Sequence, residues 1–167
     1  MYNTINEFIE EWNSEGNSTQ KLMDALTDSS LKQQVTPNDR TLGRIAWHVV
    51  MSIPEMLSAF GLTVDAVQDS DNVPTSAKEI AESFRKISAG AIDIVRTQWT
   101  DASLKEVHNV FGMDLPRAVS LSLLIKHLIH HRGQMTVLMR QAGLKVPGVY
   151  GPAREEWAAI GMNAPTV

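Results

Sequence analysis

Apolar residues recur at helical spacing in four stretches of the chain. Ile5, Phe8, Ile9, Trp12, Leu22, Met23 and Leu26, with Thr19 on the same stripe, mark the first. Thr4 followed by Glu7 reads as a capping box at its start, and Gly16 is a weak point within it. Polar residues and Pro37 interrupt the pattern before Leu42, Ile45, Ala46, Val49, Ile53, Met56, Leu57 and Phe60 begin a second stripe, with Gly61 as its stop. Pro54 cannot donate to the carbonyl of Val50, which predicts a bend just after His48.

From Gly61 to Thr75 the residues are those of a surface loop, with Asp65, Asp69, Asp71 and Pro74. Ser76 and Glu79 form a second capping box, and Ile80, Phe84, Ile87, Ala91, Ile94 and Val95 carry a third helix to about Trp99. Between Thr100 and Asp114 the pattern is short and mixed, and Val107, Phe111 and Gly112 allow an irregular loop or a small hairpin. The fourth helix is the most legible. Pro116 suits its first turn, Gly143 suits the position just past its end, and only Gly133 interrupts a span of roughly 26 residues. The tail, Val146-Pro147-Gly148-Val149-Tyr150-Gly151-Pro152, has turn chemistry and leads into a short helix around Arg154 to Ile160. The pattern predicts an all-α chain of four helices, with a long loop between the second and third and a short C-terminal helix.

Composition narrows the function classes. A length of 167 residues fits one domain, residues 1–167, and 43% hydrophobic with 20% charged residues is ordinary globular usage. The net charge is −4 and the 15 Lys and Arg are scattered, so no basic surface for nucleic acid is expected. No apolar run approaches the roughly 20 residues that cross a bilayer, and Met1-Tyr2-Asn3-Thr4 lacks the opening of a signal peptide; a cytoplasmic protein is expected. There is no Cys, so any bound metal must sit on nitrogen or oxygen and any thiol chemistry must use a thiol brought by a substrate.

Three of the five histidines fall in Lys126-His127-Leu128-Ile129-His130-His131-Arg132-Gly133-Gln134. At about 100° per residue, His127 and His131 are only about 40° apart on the helix wheel. Ser120, Leu123, Leu124, Gln134 and Leu138 share their face, so the pair sits in a core stripe. Two imidazoles one turn apart can clamp one metal ion; equally, buried His pairs occur as ordinary hydrogen-bonded core residues, satisfied by one another and by water. His130 falls on the flank of that face, outside the ligand set, and whether it hydrogen-bonds to a ligand is open. His48, on the shoulder of the second stripe, is the third candidate ligand, or else a His capping the core edge. His108 reads as a surface residue. Arg132 points away from the ligand face, toward a helix-pinning or interface ion pair.

Thr41-Leu42-Gly43-Arg44-Ile45-Ala46-Trp47-His48, then His127 and His130-His131-Arg132-Gly133-Gln134, then the tail with Glu156-Trp157, together resemble the DinB superfamily, which includes bacillithiol S-transferase-like proteins. The resemblance implies a four-helix bundle, one divalent metal ion per chain on His48, His127 and His131, and a homodimer. A second apolar face of the fourth helix, Leu121, Ile125, Leu128, Ile129 and Met139, also calls for cover on all sides.

Three His ligands leave an open position, as in catalytic rather than structural sites. All-imidazole coordination suits Zn, Ni, Fe or Cu, with Zn and Ni the first expectation. Two functions follow. One is a metal-dependent enzyme that activates water or a low-molecular-weight thiol against a small electrophile, as a hydrolase or thiol S-transferase. The other is a non-catalytic metal-binding module for stress response or interaction. Gln134 is placed to orient a ligand or a substrate, and Tyr150, Glu156 and Trp157 line the mouth if the tail folds back. Because the ligands must be neutral imidazoles, metal binding is expected to strengthen from about pH 5 to 7.

Overall fold

The computed structural model of the chain describes residues 1–65 and 71–166. Asp69, assigned above to the surface loop, lies outside the described residues. Four helices carry the architecture: α1 (Ile5–Asp24), α2 (Leu42–Ala59), α3 (Ala77–Gln98) and α4 (Arg117–Gln141). Helix α1 packs against α3 and α4, and α2 packs against the same two, giving a ring in the order α1–α3–α2–α4. One cluster of buried apolar side chains fills the ring, including Phe8, Trp12, Leu42, Leu57, Ile80, Phe84, Leu121 and Met139.

The helix starts follow the sequence with one adjustment. Thr4 accepts from the Glu7 amide at 3.2 Å, but the Glu7 carboxylate reaches one residue further back, to the Asn3 amide at 2.6 Å. Ser76 accepts from the Glu79 amide, while the amide of Ala77 is held by Asp28 at 2.7 Å, so a residue far away in sequence completes this N-terminus. Helix α1 runs unbroken through Gly16. A Cβ there would meet Ser88 Oγ at 3.1 Å, so the glycine marks the close approach of α1 to α3 rather than a break. Trp12 Nε1 donates to the Ser88 carbonyl at 3.0 Å across the same contact.

Helix α2 continues through Pro54 to Ala59. Its start is fixed by a short 3-10 turn, Asp28–Lys32, that periodicity does not announce. Thr27 and Ser30 form a reciprocal capping box there, and the Leu42 amide donates to the Gln33 carbonyl at 2.7 Å. Gly43 lies against Leu31, where an added Cβ would stand 3.1 Å from both Leu31 Cβ and its carbonyl oxygen.

The segment before α4 is the small hairpin, not the irregular loop. Strands β1 (Val107–Val110) and β2 (Met113–Pro116) pair antiparallel, Val107 opposite Pro116 and Val110 opposite Met113. Phe111 and Gly112 both take positive φ, 51° and 81°, as a two-residue hairpin turn of matching twist requires. Asn109 stabilises it by accepting from the Gly112 amide at 3.1 Å and donating to Asp114 at 2.9 Å. The chain passes from β2 into α4 at once, and Pro116 is the residue before the helix rather than its first turn. Gly143, just beyond the Ala142 cap, has φ 78°, the left-handed conformation that ends many helices.

The apolar sides of α4 are covered within the chain. Leu121, Ile125, Leu128 and Met139 are buried and Ile129 is partly buried against the same core. That face therefore does not by itself require a partner subunit. The C-terminal helix shrinks to a 3-10 turn over Trp157–Ile160, ended by Gly161 at φ 73°. Among the described residues, no helix is long and apolar enough to cross a membrane.

Candidate metal centre

The α2–α4 contact brings His48 from one helix onto His127 and His131 from the other. His48 Nε2 lies 3.2 Å from His127 Nε2 and 3.2 Å from His131 Nε2. The ring centroids are 4.5 to 5.1 Å apart, each pair roughly edge to face. His131 is 9% exposed and the other two are half-buried, so the cluster sits at the edge of the core with one side open.

A second contact sets the proton on His131. Its Nδ1 donates to Gln134 Oε1 at 2.7 Å, which leaves Nε2 with a free lone pair directed at the other two rings. The amide of Gln134 in turn donates to His130 Nε2 at 3.3 Å. His130 therefore joins the cluster through Gln134 and through its ring, which meets that of His131 edge to face at 4.9 Å, outside the three converging nitrogens, as its place on the helix wheel indicates.

All three rings are held neutral. Burial, with repulsion from His131, Arg40 and Arg44, pushes the His48 imidazole down to about 4. Burial, with repulsion from His131, His48, His130 and Arg40, does the same for His127. His131 is also lowered, mainly by burial, although its bond to Gln134 works the other way.

Hydrogen bonding alone does not complete this arrangement. A proton on His48 Nε2 can point at only one of its two neighbours, and without that proton His48 meets the His131 lone pair with its own, so in either tautomer one close contact stays without a hydrogen bond. Two nitrogen ligands at about 2.05 Å from a tetrahedral zinc ion stand roughly 3.3 Å apart. The 3.2 Å separations match, and three neutral imidazole nitrogens are a donor set suited to a borderline divalent cation. Among the described residues these three are the only His, Asp or Glu group so arranged.

The model of the DinB family matches residues 1–165. This chain belongs to the DinB family. An uncharacterized protein of Bacillus subtilis, YrdA, is 50% identical over 165 residues, covering 99% of each chain. The crystal structure of a DinB-like protein from Bacillus cereus, 49% identical, superimposes with a TM-score of 0.86 over 90% of this chain and all of that one. YfiT of B. subtilis, described as a probable metal-dependent hydrolase with an unusual four-helix bundle topology, is 16% identical and shares the fold, with a TM-score of 0.62 over 84% of this chain and 89% of its own.

Not every predicted site residue of this DinB chain gathers at the triad. Gln134 does. Tyr150 instead accepts from Arg132 at 2.7 Å and donates to Glu15 at 2.9 Å, its hydroxyl on the α1–α4 seam while the histidines occupy the α2–α4 seam. The cause is Arg132, which is buried with Glu15 at 2.6 Å and draws the tail to its own side of α4. Glu156 accepts from the Gly148 and Ala153 amides at 3.0 and 2.8 Å, which close the tail turn and hold its carboxyl below the usual range. Trp157 is half-buried and opens the 3-10 turn. None of these three makes a hydrogen bond or ring contact with the triad among the described residues.

Two residues near the triad escaped the sequence reading. Arg40 and Arg44 line a cavity of about 370 Å³ that opens beside His48. Arg44 carried a signal, since it precedes His48 by one turn. Arg40 stands ahead of the Thr41 cap, where no periodicity applies. His108, read as a surface residue, is partly buried instead. It bonds Ser120 Oγ at 2.8 Å and packs near Trp99 and Phe60.

Proposed function

We propose that His48, His127 and His131 hold one divalent cation, Zn or Ni, and that the chain is a metal-dependent enzyme acting on a small electrophile. The convergence of three neutral imidazoles, with His48 Nε2 3.2 Å from the Nε2 of each of the other two and one side open, carries the proposal. The likeness in fold to a probable metal-dependent hydrolase supports the same direction.

A cation held by three imidazoles with an open position supplies Lewis acidity that makes a water or a thiol nucleophilic near neutral pH. The chain's own part is positional. Gln134 holds the His131 proton on Nδ1, and the surrounding core keeps the rings neutral and turned inward. Water as nucleophile gives a hydrolase. A low-molecular-weight thiol gives an S-transferase, and the thiol must come from the substrate because the chain has no Cys.

The test is elemental analysis of purified protein together with turnover. Close to one metal per chain is expected, lost in His127→Ala and in His131→Ala; full retention in both variants contradicts the site. Metal-loaded protein is expected to hydrolyse ester or amide substrates, or to consume a thiol with one of a panel of electrophiles. Stoichiometric metal without either turnover would leave a non-catalytic metal-binding module.

A further inference from the structure

The cavity beside His48 is lined by Arg40, Arg44, Met51, Glu55 and Asp71 as well as by the histidine itself. Its two arginines and two acids are equal in number, but the two arginines differ in what they engage. Arg44 is engaged, donating to the Asp71 carbonyl oxygen at 3.1 Å. Glu55 lies seven residues beyond His48 on α2, about 10 Å along the helix axis and on the opposite side of His48 from Arg44. Arg40 has no hydrogen bond or ion pair among the described residues, and it is exposed at the cavity wall. Arg40 thus lines the same cavity as His48, the triad residue that faces it.

A guanidinium fork without a partner, beside neutral imidazoles, suits an oxyanion that accepts two parallel hydrogen bonds. Two acids also line the cavity, but neither Asp71 nor Glu55 pairs with Arg40 among the described residues, and Glu55 stands two helical turns from His48. From this placement we infer that Arg40 is the specificity residue of the centre, selecting small substrates that carry a carboxylate or phosphoryl group within reach of the group presented to the histidine triad. The inference rests on the metal reading and adds the substrate class: the reacting end goes to the triad and the anionic end to Arg40. It also gives Arg44 the distinct task of holding the Asp71 segment at the cavity rim.

Cobalt-loaded protein supplies a readout that does not depend on turnover, because a thiolate on Co(II) gives a near-ultraviolet charge-transfer band. The probes are 3-mercaptopropionate, its uncharged amide, and 2-mercaptoethylphosphonate, titrated at constant ionic strength. The native chain should bind the charged probes roughly tenfold or more tightly than the amide, the ratio set by a charge-assisted hydrogen bond. Arg40→Gln should erase that preference while leaving amide affinity and cobalt content unchanged. Arg85→Gln, on the α1–α3 side where it pairs with Asp24, should leave the preference intact. The charged probe that loses more affinity in Arg40→Gln names the anion, carboxylate or phosphoryl. Equal binding of acid and amide by cobalt-loaded native protein, or a preference that survives Arg40→Gln, overturns the assignment while the metal site stands. Protein that takes up no cobalt fails the metal reading, and the assignment with it.

Discussion

At the scale of single residues, the protons decide what the triad can hold. With His48 and His127 lowered to about 4 and His131 also lowered, the folded chain keeps these rings neutral well below the pH at which the unfolded chain protonates them. The unfolded state therefore takes up more protons as pH falls from about 6.5 toward 4, and the metal-free protein loses stability across that window. Imidazole Cε1–H resonances followed by NMR should show His48 and His127 titrating near 4 rather than near 6.5. The same shift moves the metal window. Instead of strengthening from about pH 5 to 7, as free imidazoles would dictate, affinity should hold from pH 7 to about 5 and fall as pH approaches 4. Isothermal titration with Zn across that range checks it, and a tenfold loss between pH 7 and 6 would contradict it. Gln134 supplies a second residue-scale prediction. Gln134→Leu removes the acceptor on His131 Nδ1 and should weaken metal affinity roughly 10- to 100-fold, while Gln134→Glu, which keeps an acceptor, should restore most of it.

At the scale of elements, the helices were legible because their stripes, caps and stops agree, and what was missed lies where distant segments meet. The start of α4, its end at Gly143 and the pairing of His127 with His131 on one face follow from local spacing. The short turn at Asp28–Lys32 does not, because its buried Leu31 is explained only by Gly43 of α2. Gly43→Ala should cost about 1–3 kcal/mol in urea denaturation, since the added Cβ would stand 3.1 Å from both the Leu31 Cβ and its backbone carbonyl and would force the two segments apart by a few tenths of an ångström. Gly133→Ala, with open space at the same test, should stabilise α4 by about 0.5–1 kcal/mol. The ion pair of Glu15 and Arg132 pins α1 to α4, with Thr19 and Tyr150 satisfying its remaining groups. Sequence placed Arg132 away from the ligand face but left Glu15 unremarked, although it falls three residues after Trp12 on the buried stripe. Glu15→Ala strands a buried guanidinium and should cost about 3–5 kcal/mol by the same measurement. Replacing both partners by apolar residues of similar volume should cost much less.

At the scale of the whole molecule, the ring order α1–α3–α2–α4 turns three scattered histidines into one cluster. Helices α2 and α4, separated in the chain by α3 and the hairpin, lie side by side, and His48 meets the α4 pair there. The spacing of His127 and His131 could be read from the sequence; the meeting with His48 needed the family resemblance, because no local pattern says which helices are neighbours. The tail shows the opposite case: local turn chemistry was correct, but the buried Arg132 carries Tyr150 to the α1–α4 seam instead of to the histidines. X-ray absorption at the zinc edge of the reconstituted protein tests the central claim most directly. The account predicts three imidazole nitrogens at about 2.0–2.1 Å, falling to two in His48→Ala. Zinc bound without imidazole scattering, or a spectrum unchanged by His48→Ala, would contradict it.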